Sequence, residues 1–300
     1  MKAHSVCVTK HQTAEPSGGE TTIADETPAT EEETRAALLG RSNRAAAPIP
    51  KVFVQNPNRR LANRAAPLSL FVQHGDERAL KALLLLHAFI SNGTDGWSAT
   101  LPLRTWARAF GTTRDAELRS ASTAATKLLT RLEDRKLISR ARSGRERQVT
   151  VTLLRPDGTG EPYTRPKGTN ESDRFLNLSH RFWTEDWHRK LDLSATAMLL
   201  VALHEKPGFE LVTERVPAWY GWSADTAERG LKKLQDHGLI LVEKRVRKAP
   251  LAPNGITVRN AYTLTGPFAA APPQPSPITA KSKKPNKPKK LIKPKTRGAQ

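Results

Sequence analysis

Two stretches of the chain carry the same hydrophobic pattern. Leu129-Thr-Arg-Leu132-Glu-Asp134-Arg-Lys-Leu137-Ile138 and Leu231-Lys-Lys-Leu234-Gln-Asp236-His-Gly-Leu239-Ile240 match position by position at an offset of 102 residues. Each places Leu at i and i+3, the spacing of one helix face, and then runs into a β-type Leu-Ile. The flanking patterns agree as well. In the second copy, Leu193–Leu203 reads as a helix, Phe209–Val212 as a short strand and Glu214–Tyr220 as a second helix. Gly221 supplies a turn, and Ser223 caps a third helix with Asp225 in its first turn. In the first copy, Asp76 caps a helix over Glu77–Ile90, Leu101–Leu103 is the strand, Arg104–Phe110 the second helix and Gly111 the turn. Here the turn, Thr112–Arg119, is about eight residues longer than in a tight helix-turn-helix.

A hairpin follows each third helix. Ile138–Arg142 and Arg147–Leu154 flank Ser143-Gly144, with Val149, Val151 and Leu153 alternating. Leu239–Val246 and Thr257–Leu264 flank a longer tip that holds Asn254-Gly255. The pattern predicts a mainly α, α+β chain: two helix–strand–helix–helix–hairpin modules over 70–155 and 174–266. A turn-rich linker, 156–173, joins them. Residues 41–69 read as a basic arm with at most one short strand, Val52–Val54. Residues 1–40 and 267–300 read as disordered tails.

Charge sharpens this division. The 300 residues carry 49 Lys and Arg against 29 Asp and Glu, a net of +20. Residues 1–34 hold two lysines and seven acids, a net of −5. Residues 271–300 carry +9 with no acid, among prolines that forbid a helix. The remaining +16 lies on the middle of the chain, so the modules are themselves basic. Such a balance points to a polyanionic partner.

The order of elements is that of a winged helix-turn-helix. The run Pro217-Ala-Trp-Tyr-Gly-Trp-Ser-Ala-Asp-Thr-Ala-Glu-Arg-Gly-Leu-Lys-Lys-Leu-Gln-Asp-His-Gly-Leu-Ile240 resembles MarR-like and GntR-like regulators, and the tandem arrangement is similar to winged-helix initiators of bacterial plasmid replication. The resemblance implies a double-stranded DNA partner, with a homodimer and replication or transcription machinery as further partners. It implies a sequence-specific transcriptional regulator, with a plasmid replication initiator as the alternative and an RNA-binding or scaffolding protein as a third.

Candidate contacts follow from helical periodicity. In the second module Ala227, Leu231 and Leu234 form the core stripe, and Ser223, Asp225, Thr226, Arg229, Lys232 and Lys233 lie elsewhere. Arg229 suits a guanine edge; Lys232 and Lys233 suit phosphates. Arg245, Arg247, Lys248 and Arg259 crowd its hairpin, together with Lys244. In the first module the outward residues are Thr123, Thr126, Lys127 and Thr130, with Arg131 at the edge and Arg140, Arg142, Arg145 and Arg147 on the hairpin. Lys283, Lys284, Lys287, Lys289 and Lys290 in the tail suit phosphates without sequence preference. Trp106, Trp219, Trp183 and Trp187 read as core, the last two on one helix over Phe182–Leu191.

No phosphate-binding loop, nucleophile elbow or paired acid and base is present, and the chain reads as a non-enzyme without cofactor. His4 and Cys7 have ligand-like spacing but no further ligands nearby, so no metal is expected. No apolar run is long enough to cross a membrane, and Met1–Lys10 lacks a signal core. A single cysteine fits a reducing cytoplasm, with the chain at the nucleoid.

Overall fold

The computed structural model describes residues 27–93, 96–113, 118–143 and 148–269. The acidic run 1–26, Arg145, Arg147 and the whole lysine tail from Lys283 to Lys290 lie outside the described residues. The fold is mixed α and β with small sheets.

The first half contains α1 (Glu31–Gly40), β1 (Ala46–Pro50), α2 (Pro67–Gln73), α3 (Glu77–Phe89), β2 (Ser98–Pro102), α4 (Leu103–Ala109), α5 (Leu118–Asp134), β3 (Ile138–Ser143) and β4 (Gln148–Leu153). The second contains β5 (Phe175–Ser179), α6 (Arg181–Thr184), α7 (Trp187–Lys190), α8 (Leu193–His204), β6 (Phe209–Glu210), α9 (Val216–Tyr220), α10 (Ala224–Asp236), β7 (Ile240–Lys248) and β8 (Ile256–Leu264). The halves build sheets of the same order, β2-β4-β3 and β6-β8-β7, antiparallel throughout.

The 102-residue repeat is visible in the backbone. Lys136 (φ 56°) and Gly238 (φ 66°) occupy matched positions and end α5 and α10 in the left-handed region. The next amide then reaches back to the helix in both copies: Leu137 N–H donates to Leu132 C=O (3.0 Å), and Leu239 N–H to Leu234 C=O (2.9 Å). This is the helix stop that an αL residue after the last turn allows.

A third, two-stranded sheet joins the halves. β1 pairs antiparallel with β5, with Pro48 opposite Asn177 at its centre and Ala46 and Pro50 opposite Ser179 and Phe175. Ile49 faces Leu176 and Ala47 faces Leu178, all four buried. β1 packs on α3, and β5 on α8. These two helices are buried on nearly every side, Ala82–Leu86 in α3 and Ala195–Val201 in α8. One hydrophobic cluster therefore runs through both halves.

Several elements differ from the sequence expectation. The tail expected to be disordered to residue 40 forms α1 from Glu31. A reciprocal cap starts it: Glu33 N–H donates to Thr30 Oγ1 (3.1 Å), and Thr30 N–H to Glu33 Oε2 (2.8 Å). Leu38 and Leu39 are buried in the core. The arm 41–69 supplies β1, α2 and the buried Phe53 and Val54. Its strand is Ala46–Pro50 rather than Val52–Val54, set by pairing with β5; the edge position tolerates prolines that cannot donate to the ladder. Arg44 donates through Nη2 to Ala88 C=O (2.9 Å) and Ile90 C=O (3.0 Å), closing the end of α3. The expected helix over 182–191 breaks into α6 and α7 at Asp186 (φ 59°). Among the described residues no helix is long and apolar enough to cross a membrane.

His87 in α3 is fully buried, and neither ring nitrogen has a hydrogen-bond partner. Burial, reinforced by Arg44, pushes its pKa down to about 4. The folded protein therefore holds His87 neutral, while the unfolded chain takes up a proton near the ordinary value of 6.5. Its contribution is complete above pH 6.5 and falls away as pH drops towards about 4, amounting to about 3 kcal/mol. Urea titrations across this window should show that loss, and His87→Leu should flatten it. An unchanged slope in the variant would contradict the assignment.

Candidate nucleic-acid interface

α10 is oriented by its two ends. Ser223 Oγ accepts from Thr226 N–H (3.2 Å) and lies 2.9 Å from Thr226 Oγ1, so these two residues serve the cap. At the midpoint Gly230 meets α8 so closely that a methyl group there would clash with the Ser194 carbonyl and Met198. The preceding turn is equally tight. Gly221 (φ 87°) lies against Ala65 and Ser69, where a Cβ would approach within 2.8 Å of both. Gln73 Nε2 donates to the Gly221 carbonyl (2.6 Å). The chain ahead of α3 thus braces the turn of the second half.

This packing leaves Asp225, Arg229 and Lys232 on the outward face. Arg229 Nε pairs with Asp225 Oδ2 at 3.0 Å, with both side chains mostly exposed. Such a pair holds the guanidinium out along the helix at little energetic cost to release. Lys233, expected at a phosphate, instead pairs with Asp192 Oδ2 (3.0 Å), the N-cap of α8. It ties the two helices together.

The β7–β8 hairpin carries a guanidinium cluster. Arg245 stands directly opposite Arg259 in the register. Like charges so placed repel, and the carboxylate of Glu210 on β6 intervenes. Arg247 Nη2 lies 2.7 Å from Glu210 Oε1, Arg259 Nη1 3.5 Å from Oε2 and Arg245 Nη1 3.9 Å from Oε1. Arg245 also donates to the Gly208 carbonyl (3.1 Å). Three guanidinium groups share one carboxylate, and a surplus positive charge faces solvent. Lys248 is exposed nearby. Sequence reasoning missed Glu210, whose short strand gives no local signal of three partners more than thirty residues away.

The first half has the same scaffold and a different surface. Thr123, Thr126 and Thr130 each donate to the carbonyl four residues back, at 2.9–3.0 Å, so their hydroxyl protons are used within α5. Arg131, expected at the edge of the outward face, is about half exposed and pairs with Asp76 Oδ1 (3.3 Å), and Arg135 pairs with Asp76 Oδ2 (2.9 Å). Asp76 therefore does not cap α3 through its side chain; it is a buried anchor for α5. Arg140 is held by Glu133 (2.6 Å) and the Thr126 carbonyl (3.3 Å). Lys127 and Arg142 remain exposed. The turn at Gly111 is braced by α1, whose Glu31 accepts from Thr113 N–H (3.0 Å) and Oγ1 (2.8 Å).

A cleft of about 860 Å³ opens between residues 51–64 and the α8–α9 connection. Arg59, Arg174, Lys206 and Arg215 line it, and Trp219, expected as core, forms part of its wall with Arg215 above the ring at 5.8 Å. On its floor Tyr220 donates to Glu205 Oε1 (3.0 Å), and burial together with this carboxylate raises the tyrosine pKa. Among the described residues no group of three His, Cys, Asp or Glu is arranged to hold a metal ion.

Comparison with protein-family models, curated proteins and solved structures finds no match.

The two aspartates make opposite predictions for stability. Asp76→Ala strands Arg135 in the interior and should lower the unfolding free energy by about 3 kcal/mol. Asp225→Ala removes only a solvated pair and should change it by less than about 0.5 kcal/mol. Urea denaturation of both variants checks this; equal effects would contradict the buried-anchor role.

Proposed function

We propose that the chain is a sequence-specific double-stranded DNA-binding protein, with two winged helix-turn-helix modules over 70–155 and 174–266, acting as a transcriptional regulator. The observation that carries this reading is the second module's outward surface. A helix with a capped N-terminus presents Arg229 and Lys232, and a basic hairpin starts four residues after it ends. A recognition helix needs one face buried against a scaffold and the other free for base edges. Gly230 against α8 provides the first condition, and the exposed Asp225–Arg229 pair the second. In this reading Arg229 exchanges Asp225 for the O6 and N7 of guanine, and Lys232 meets a phosphate.

The two halves bear different loads. In the first, Arg131 pairs with the buried Asp76 and Arg140 with Glu133, whereas in the second Arg229 pairs only with the exposed Asp225, Lys232 is exposed and three hairpin arginines share Glu210. The second module supplies most of the sequence reading, and the first adds contacts through Lys127 and Arg142. β1 and β5 join the halves in one ribbon, and on this reading one chain offers both modules to a single duplex. The same tandem arrangement supports the second reading, a plasmid replication initiator that binds repeated origin sites and engages replication machinery.

Selection of bound sites from random duplexes tests the proposal. A defined motif should emerge, with affinity falling steeply as salt rises. Arg229→Ala should lower the ratio of specific to non-specific affinity by about 10- to 100-fold, while Lys232→Ala should weaken all duplexes alike and reduce the salt slope by about 1. Absence of any motif, or equal preference for RNA, would overturn the reading.

A further inference from the structure

The β7–β8 hairpin is longer than its packing requires. On one face of its register Ile240 and Leu264, then Val242 and Tyr262, sit on the core. The same face continues outward through Lys244 and Asn260, Val246 and Val258, Lys248 and Ile256. Past the core it has no cover: Val246 is 63 % exposed, Val258 55 % and Ile256 46 %. At the tip, between Pro250 and Pro253, Leu251 is fully exposed at 102 %. The tip is nonetheless ordered. Ala249 N–H donates to the Gly255 carbonyl (2.8 Å), Ala252 N–H to that of Ala249 (2.8 Å) and Gly255 N–H to that of Ala252 (2.9 Å). Nine-residue strands reach about 30 Å, so the leucine is held well away from the body.

We infer that this hairpin is a DNA-deforming arm whose apolar tip, Leu251 with its flanking prolines, wedges into a base step from the minor groove. The inference rests on the duplex-binding reading and adds a deformation to it. Charge selects the occupant. Its strands carry Lys244, Arg245, Arg247, Lys248 and Arg259 against one acid of their own, Glu243, and the single Glu210 of β6 that the three arginines share, so the cations remain in excess. A second copy would bring five more cations against these five, whereas a duplex brings phosphates. Apolar side chains that end a cationic arm are the means by which minor-groove proteins part stacked bases, since the cations hold the backbone on either side while the wedge replaces base–base contact. Val246, Val258 and Ile256 then lie along the sugar edges of the groove, which are the least polar part of its walls.

The full-length chain is tested on its selected duplex carrying 2-aminopurine at successive positions. The wild-type chain should brighten the probe at one step outside the major-groove motif. Leu251→Asn should reduce that signal about fivefold or more with the salt slope unchanged, and Leu251→Phe should retain it. Because Leu251 touches no core, both variants keep the fold, which thermal unfolding verifies. Motif binding without brightening at any position overturns the wedge and leaves the duplex-binding reading standing, as does an undiminished signal from Leu251→Asn. Absence of duplex binding overturns both. Self-association that Leu251→Asn abolishes would assign the face to a second copy and overturn the wedge.

Discussion

Five residue pairs between Ala46–Pro50 and Phe175–Ser179 decide how the rest of the molecule is arranged. The ribbon is centred on Pro48 and Asn177, and each strand lies on the first long helix of its own half. Ile49 and Leu178 occupy corresponding places in the ribbon, as do Ala47 and Leu176, so the two strands are related by a local two-fold. α3 and α8 are buried on nearly every side over Ala82–Leu86 and Ala195–Val201, because each is covered by its own module and by the ribbon. Neither half could present that surface to water alone. The tandem repeat is thereby converted from two beads on a string into one body with one core.

Within that body the halves diverge in where their charges go. Asp76 draws Arg135 inward and pairs with an exposed Arg131, and Glu133 draws in Arg140. Glu210 holds three arginines but leaves a surplus on the surface, and Asp225 holds Arg229 only loosely. A buried carboxylate that binds two arginines is a structural device, whereas an exposed pair on a helix surface is readily exchanged for another anion. The same scaffold thus carries arginines paired with a buried aspartate in one half and a solvated Asp225–Arg229 pair in the other.

Much of this was legible in the sequence where the signal is local. The i, i+3 leucines of α5 and α10, the alternation of β4 and the cap at Ser223 each depend on neighbours within a few residues. Trp106 was correctly placed in the core. What was hidden depends on partners far along the chain. β1 consists of two alanines, two prolines and Ile49, and its strand character comes from pairing with β5, some 129 residues later. Lys233 sits at an outward angle and Arg131 at the edge of its face, yet each pairs with an acid far back in the chain, Asp192 and Asp76, 41 and 55 residues earlier. The break at Asp186 follows from packing of α6 and α7 against Phe268 and His237 rather than from a breaker in the sequence.

The claim at the centre is that one chain sets two related helices against one duplex, the second reading more strongly than the first. Methylation interference at guanine N7 on the selected duplex measures this directly, because N7 lies in the major groove that such helices enter. Two clusters of interfering guanines, one for each half and the stronger lost in Arg229→Ala, are the predicted result. A single cluster, or interference that ignores Arg229, would contradict it.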